Sequence, residues 1–203
     1  MSVHEELKSI LKELIPCIKG KWFLSDGGLL GLIRDGDLIE WDNDLDLYFA
    51  EGTELDLELL SKTSLCYQTY YTCGKIFRKT NPLYKKNTFT EYISFLRTTT
   101  YRDISINRAK MSAIASKTYH DNKIPIQFTM PWIDIFGLKL SNDETRYLVP
   151  HWPKLYYTKF DLNTLIKNKT LGFPIYIPQN HKRILSMLYG DNYLVPNQDF
   201  QHV

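Results

Sequence analysis

The chain has almost no net charge. Its 203 residues carry 25 Lys and Arg against 23 Asp and Glu, a formal +2. A non-specific nucleic-acid binder needs a strongly basic face, so no nucleic-acid partner is expected. Cysteine is scarce: Cys17, Cys66 and Cys73 are odd in number and lack the spacing of a zinc site. A reducing compartment, and so a cytoplasmic location, is the expectation. No window reaches about 18 consecutive apolar residues, so no membrane span is expected and membrane association is at most peripheral. The opening "MSVHEELKSILKELIPC" breaks its apolar residues with acids, which does not fit a signal peptide.

Several catalytic patterns are missing as well. No Gly-Lys-Ser/Thr follows the glycines of a phosphate loop, and the glycine spacing of a dinucleotide fold is absent. No Ser-His-Asp or Cys-His arrangement is supported. His120, His151 and His181 are isolated from one another in sequence. There is no internal repeat. What remains is ordinary globular composition, 43% hydrophobic, which at this length buries a useful core. One domain over residues 1–203 is expected. Aromatics make up 14% of the chain, enough to line a sugar or base pocket, although the core is their usual destination.

Periodicity sketches the elements. Leu7, Ile10, Leu11, Leu14, Ile15 and Ile18 predict an amphipathic helix over 3–19, with Pro16 marking a kink or stop. "KWFLS" (21–25) reads as a short buried strand, Gly27-Gly28 as a turn and "LLGLIR" (29–34) as a short helix. "DLDLYFA" (44–50) is a strand by alternation, and 54–64 reads as a helix. Strand-like runs follow at 65–71, 91–97 and 103–107, with "NPLYKKN" as a mobile loop. The second strong strand region is 124–140, centred on Trp132 to Phe136. A strand at 172–178 and a helix over 180–191 close the chain, the latter with Asn180 as N-cap and Gly190 as stop. Helices and strands mix throughout, so the fold class is α+β or α/β with a small mixed sheet.

The chemistry concentrates in "SDGGLLGLIRDGDLIEWDNDLDLYF" (25–49). Acids recur at Glu40, Asp42, Asp44 and Asp46. In a strand, alternate side chains share a face about 6.5–7 Å apart, so Asp44 and Asp46 point one way while Leu45 and Leu47 point into the core. Two carboxylates at that spacing can approach a hard divalent cation, whose remaining sites suit water and phosphate oxygens. The alternative is a set of solvated acids on an edge strand. An EF-hand is excluded, because Leu47 stands where its glycine belongs and Thr53 where its bidentate Glu belongs.

Gly27 and Gly28, ahead of a helix, expose backbone N–H groups that could cradle a phosphate, or simply make a tight turn. Arg34 could hold a phosphate bidentately, or pair with Asp35 or Asp37. Asp134, in "PWIDIF", is a carboxylate among apolar neighbours, costly to bury unless paired or metal-bound. Beside Asp44 and Asp46 it would be a third ligand or a general base. The basic stretches "KIFRK" and "YKK" read as solvated surface.

These residues carry a resemblance. Gly28, Leu29, Leu30, Gly31, Arg34, Ile39, Trp41, Asp42, Asp44 and Asp46 resemble in order the signature of the LicD/fukutin family. Ile133-Asp134-Ile135-Phe136 resembles its later element, and Ile177-Pro178 with Leu188, Tyr189-Gly190-Asp191 its closing one. The chain departs from the pattern at Glu40 (usually Pro), Asn43 (usually Asp), Leu29 (usually preceded by a Thr) and Gly137 (commonly Pro). Ser25 is the hydroxyl that could stand in for that Thr.

The resemblance implies a nucleotidyltransferase-like α+β fold and a transferase using Mg2+ or Mn2+. Asp44, Asp46 and Asp134 would be the catalytic, metal-holding acids, and Ser25, Gly27, Gly28, Arg34 and Asp42 would serve the substrate. The implied donor is a CDP-activated phosphocholine or polyol phosphate. The implied acceptor is a sugar hydroxyl of a surface polysaccharide such as a capsule or lipopolysaccharide, or of a lipid-linked saccharide. From the residues alone, a nucleotidylyltransferase of the same fold and a non-catalytic metal- or glycan-binding module stay open.

Overall fold

The computed structural model describes residues 2–70, 73–80, 131–149 and 152–197. The expected strands at 91–97 and 103–107, the "NPLYKKN" loop, His120 and His151 lie outside that set.

Helix α1 (Val3–Leu14) begins at a capping box: the Glu5 amide donates to Ser2 Oγ at 3.2 Å and the Ser2 amide to Glu5 Oε2 at 2.8 Å. Leu7, Ile10, Leu11 and Leu14 are fully buried along one stripe. Burial of each such side chain stabilises by roughly 2 kcal/mol. Pro16 ends the α-helical bonding earlier than periodicity predicts, and Ile15–Cys17 tightens to a 3-10 turn before strand β1 (Ile18–Lys19).

Strand β2 (Trp22–Ser25) leads directly into helix α2 (Asp26–Arg34), and strand β3 (Asp44–Phe49) returns antiparallel to β2. The short β4 (Glu54–Leu55) pairs with β1, and α3 (Leu57–Ser61), capped by Asp56, occupies only part of the helix expected over 54–64. Strands β5 (Leu65–Tyr70) and β6 (Cys73–Arg78) form a hairpin, and β7 (Trp132–Gly137) joins β6 antiparallel and β3 parallel.

A second, three-stranded sheet has β8 (Lys139–Leu140), β9 (Arg146–Val149) and β10 (Trp152–Thr158). Helix α4 (Lys159–Asn163), a ribbon of β11 (Leu165–Asn168) with β12 (Ile175–Pro178), and helix α5 (His181–Tyr189) follow, with Gly190 at φ 79° ending α5. The architecture is α+β, with small mixed sheets flanked by helices. No helix among the described residues is long and apolar enough to cross a membrane.

The main sheet has the order β2-β3-β7-β6-β5. Its register sorts residues into two faces. Leu24, Leu47, Ile135 and Gly74 form one cross-strand row, and Leu45, Ile133 and Ile76 the next. This apolar face receives α2, whose Gly28 lies so near that a Cβ there would meet Leu24 at 2.8 Å and Leu45 at 3.0 Å. It also receives α1, because Arg78, on the Ile76 side of β6, bonds Glu6, Ser9 and Glu13 of α1. The other face carries Phe23, Tyr48 and Phe136 in a row, with Tyr157 of β10 packed edge-on against Phe23 at 4.9 Å between centroids. Tyr48 stacks on Phe23 and Phe136 at 5.8 and 5.2 Å. This aromatic floor lies beside the acids.

Candidate active site

One further cross-strand row on the aromatic face reads Ser25, Asp46, Asp134, Lys75, one residue from each of β2, β3, β7 and β6. Parallel neighbours sit about 4.8 Å apart, so register alone sets Asp134 beside Asp46. Asp44, two residues before Asp46, faces the same way. Oxygen atoms of Asp44, Asp46 and Asp134 all lie within 4.8 Å of one another. The chain thus brings together three carboxylates from positions 44, 46 and 134. Leu45 and Leu47, at 1% and 0% exposure, anchor the opposite face and fix the register.

This convergence is electrostatically costly. Burial, reinforced by the neighbouring Asp42, raises the Asp44 carboxyl to about 8. Burial, then the charges of Asp26, Asp44 and Asp134, pushes Asp46 well above the ordinary carboxylate range. Among the described residues, one ammonium compensates: Lys75 Nζ lies 2.7 and 2.9 Å from the two oxygens of Asp134. The Trp132 indole N–H donates to Asp134 Oδ2 at 3.2 Å, and the Cys73 thiol to Oδ1 at 3.5 Å. Three hard oxygen ligands whose mutual repulsion the described residues leave largely uncancelled fit a divalent cation, which would relieve it.

Asp26, which the sequence did not single out, lies at the site. It starts α2 in the left-handed region at φ 47°, which costs a non-glycine residue energy. It is 7% exposed, and its Oδ2 is buried without a well-formed hydrogen bond, as is the hydroxyl of nearby Tyr48. Burial raises its carboxyl to about 6, opposed by the Tyr48 hydroxyl and Ser25. The only hint in sequence was a carboxylate directly ahead of two glycines.

The remaining expected residues fall differently. Ser25 is fully buried and its Oγ shares a 2.6 Å hydrogen bond with Tyr157 Oη. Gly27 and Gly28 form the first turn of α2, not a turn ahead of it. Both sit in close contact: a Cβ at Gly27 would force the Asp42 carboxylate to move, and one at Gly28 would force Leu24 and Leu45 to move. Asp42 precedes β3 in a turn, accepting from the Asn43 amide at 3.0 Å, while Glu40 is exposed. Only the last two acids of the alternating row are therefore in the strand. Arg34, at the far end of α2, grips Asp35 through Nε and Nη2 at 2.7 and 2.6 Å and lies 5.9 Å from the Trp41 ring. It sits at the opposite end of α2 from Asp26, about 12 Å along the helix axis. "KIFRK" is not solvated surface: Lys75 and Arg78 are ion-paired, and Lys79 donates to the carbonyls of Ser61 and Thr63.

A mixed sheet with paired acids on one strand and a third on its parallel neighbour, preceded by a glycine-rich helix start, is a nucleotidyltransferase-like fold. The family described as LicD/FKTN/FKRP, nucleotidyltransferase domain, matches residues 19–180, and the chain belongs to that family. No curated protein matches it. Membership implies a transferase of phospho-linked groups, with an activated donor and a glycan acceptor in general terms.

Proposed function

We propose that this chain transfers a phospho-linked group, phosphocholine or a polyol phosphate, from a CDP-activated donor to a sugar hydroxyl of a surface glycan or lipid-linked saccharide. The observation that carries the reading is the convergence of Asp44, Asp46 and Asp134 within 4.8 Å in a chain of this family. These three residues would hold Mg2+ or Mn2+, which when bound neutralises diphosphate charge and makes CMP a better leaving group. We take residues 1–203 to act as one domain.

The acceptor oxygen attacks the phosphorus nearer the transferred group. A new P–O bond forms, the P–O bond to CMP breaks, and CMP leaves with the electron pair. The hydroxyl proton passes to a carboxylate. Asp134 is poorly suited to take it, because in this reading it is a ligand of the cation and it also accepts from Trp132 and Cys73. We assign the base to Asp42, which flanks Asp44 and lies outside the ligand triad. Gly27 and Gly28 serve by letting α2 close on Asp42, Leu24 and Leu45. Arg34 braces the loop that carries Trp41 and Asp42.

The test is a panel of CDP-choline, CDP-ribitol and CDP-glycerol with Mg2+ and a glycan acceptor. CMP release with one donor is the expected result. Pyrophosphate from a nucleoside triphosphate would assign nucleotidyl transfer instead. Cation binding with no turnover of any donor would make the chain a binding module.

A further inference from the structure

Lys75 is an unusual occupant of this site. Its side chain is 12% exposed and that of Asp134 10%, so both charges are largely removed from water. Its ammonium also lies 4.5 Å from the centroid of the Trp132 ring, on the same face of the sheet. Burying an ammonium costs several kcal/mol, and a pair kept only for stability is often replaced by apolar residues without loss. Lys75 therefore calls for a role beyond bracing a strand.

Its geometry supplies one. The ammonium touches both oxygens of Asp134, the same carboxylate that completes the triad with Asp44 and Asp46. An ammonium and a divalent cation on one carboxylate repel each other, so each weakens the other's hold. A lysine, however, has a flexible four-carbon stem and three rotatable donors, so its head can move a few ångströms while the backbone stays fixed. The Trp132 ring beside it is a surface over which a cation can move at little cost. Three ionised carboxylates are balanced by one divalent cation plus one ammonium, and a diphosphate then brings new negative charge that the displaced ammonium can meet.

We propose that Lys75 holds the cation's place on Asp134 and moves from that carboxylate to a phosphate of the nucleoside diphosphate when the cation is bound. This rests on the cation reading above. Lys75 becomes a substrate-binding residue for the transfer reaction, and it sets cation affinity by competition.

The experiment is calorimetric titration of Mn2+ into the full chain, then of CDP at saturating Mn2+, for the wild type, Lys75→Met and Lys75→Arg. Lys75→Met is expected to bind Mn2+ about tenfold more tightly and CDP about tenfold more weakly, the scale of one charge-assisted contact. Lys75→Arg is expected to weaken Mn2+ binding, because a guanidinium grips a carboxylate in a fixed bidentate fork. Unchanged or weaker Mn2+ binding by Lys75→Met, or unchanged CDP binding, overturns the proposal. If Lys75→Met does not fold, Lys75→Arg decides: Mn2+ affinity at or above wild type overturns it. Asp44→Asn separates the two levels. If that variant binds Mn2+ as the wild type does, the cation reading itself fails and takes this inference with it.

Discussion

Lys75 and Arg78 lie three residues apart on β6 and face opposite sides of the main sheet. Arg78 meets Glu6 and Glu13 of α1, and also donates to the hydroxyls of Ser9 and Ser64. One cation meets two carboxylates there at a partly open edge, and the cluster latches α1 to the sheet. Lys75 faces Asp134, with Asp44 and Asp46 beside it and Asp26 behind. One cation meets an excess of negative charge there, in a more enclosed place, over an aromatic floor. In the first cluster the guanidinium's own hydrogen bonds offset the charges. The second is held at a cost, with a strained backbone at Asp26, and that cost is what a binding site for a cation would carry.

The contrast can be broken most sharply at Asp46. Asp46→Asn is expected to lower turnover by about 10³-fold, the scale of removing a key electrostatic group. The same change is expected to raise the melting temperature of the metal-free chain, because it removes a carboxyl that folding buries at a cost and forces to take up a proton; thermal unfolding beside a turnover assay reads both. Asp42→Asn is expected to lower kcat by about 10²-fold while leaving Mn2+ affinity nearly intact, as a base outside the ligand triad would. Equal losses of turnover and Mn2+ affinity would add Asp42 to the ligand set.

On the opposite face, Arg78→Ala is expected to cost about 2 kcal/mol of stability in urea unfolding, below the range for fully buried pairs because Arg78 is one-fifth exposed. Its effect on turnover under folding conditions is expected to be small.

The contrast also shows in pH. The Asp44 carboxyl titrates near 8 in the folded chain, against an ordinary aspartate value near 4. Between those values the folded state keeps a proton that the unfolded state has released. Stability of the metal-free chain should therefore fall as pH rises from about 4 to about 8. Saturating Mg2+, or Asp44→Asn, should flatten that slope.

Much of this was legible in the sequence. The alternation of Asp44, Leu45, Asp46 and Leu47 marked both faces of β3, and the apolar neighbours of Asp134 marked β7. The stripe of α1 was equally clear. Strand β6 was not, for a physical reason: Lys75 and Arg78 put one charge on each face, so "CGKIFR" shows no amphipathic alternation, and the partners that make it a buried strand come from α1 and β7. Helix α2 began earlier than expected because two glycines, poor helix formers alone, are held there by the close approach of Asp42 and Leu45. Asp26 was hidden for the same reason. The region 152–168 has polar interruptions that mask β10, α4 and β11, whose junction depends on the Thr158–Asp161 capping box and on Arg183 from α5.

The most direct test of the central claim is a crystal of the full chain soaked in Mn2+, with the anomalous signal mapped. The account predicts a strong peak bonded to oxygens of Asp44, Asp46 and Asp134, lost in Asp46→Asn crystals treated alike. A saturated soak with no peak at those three residues, or a peak that persists unchanged in Asp46→Asn, would contradict it.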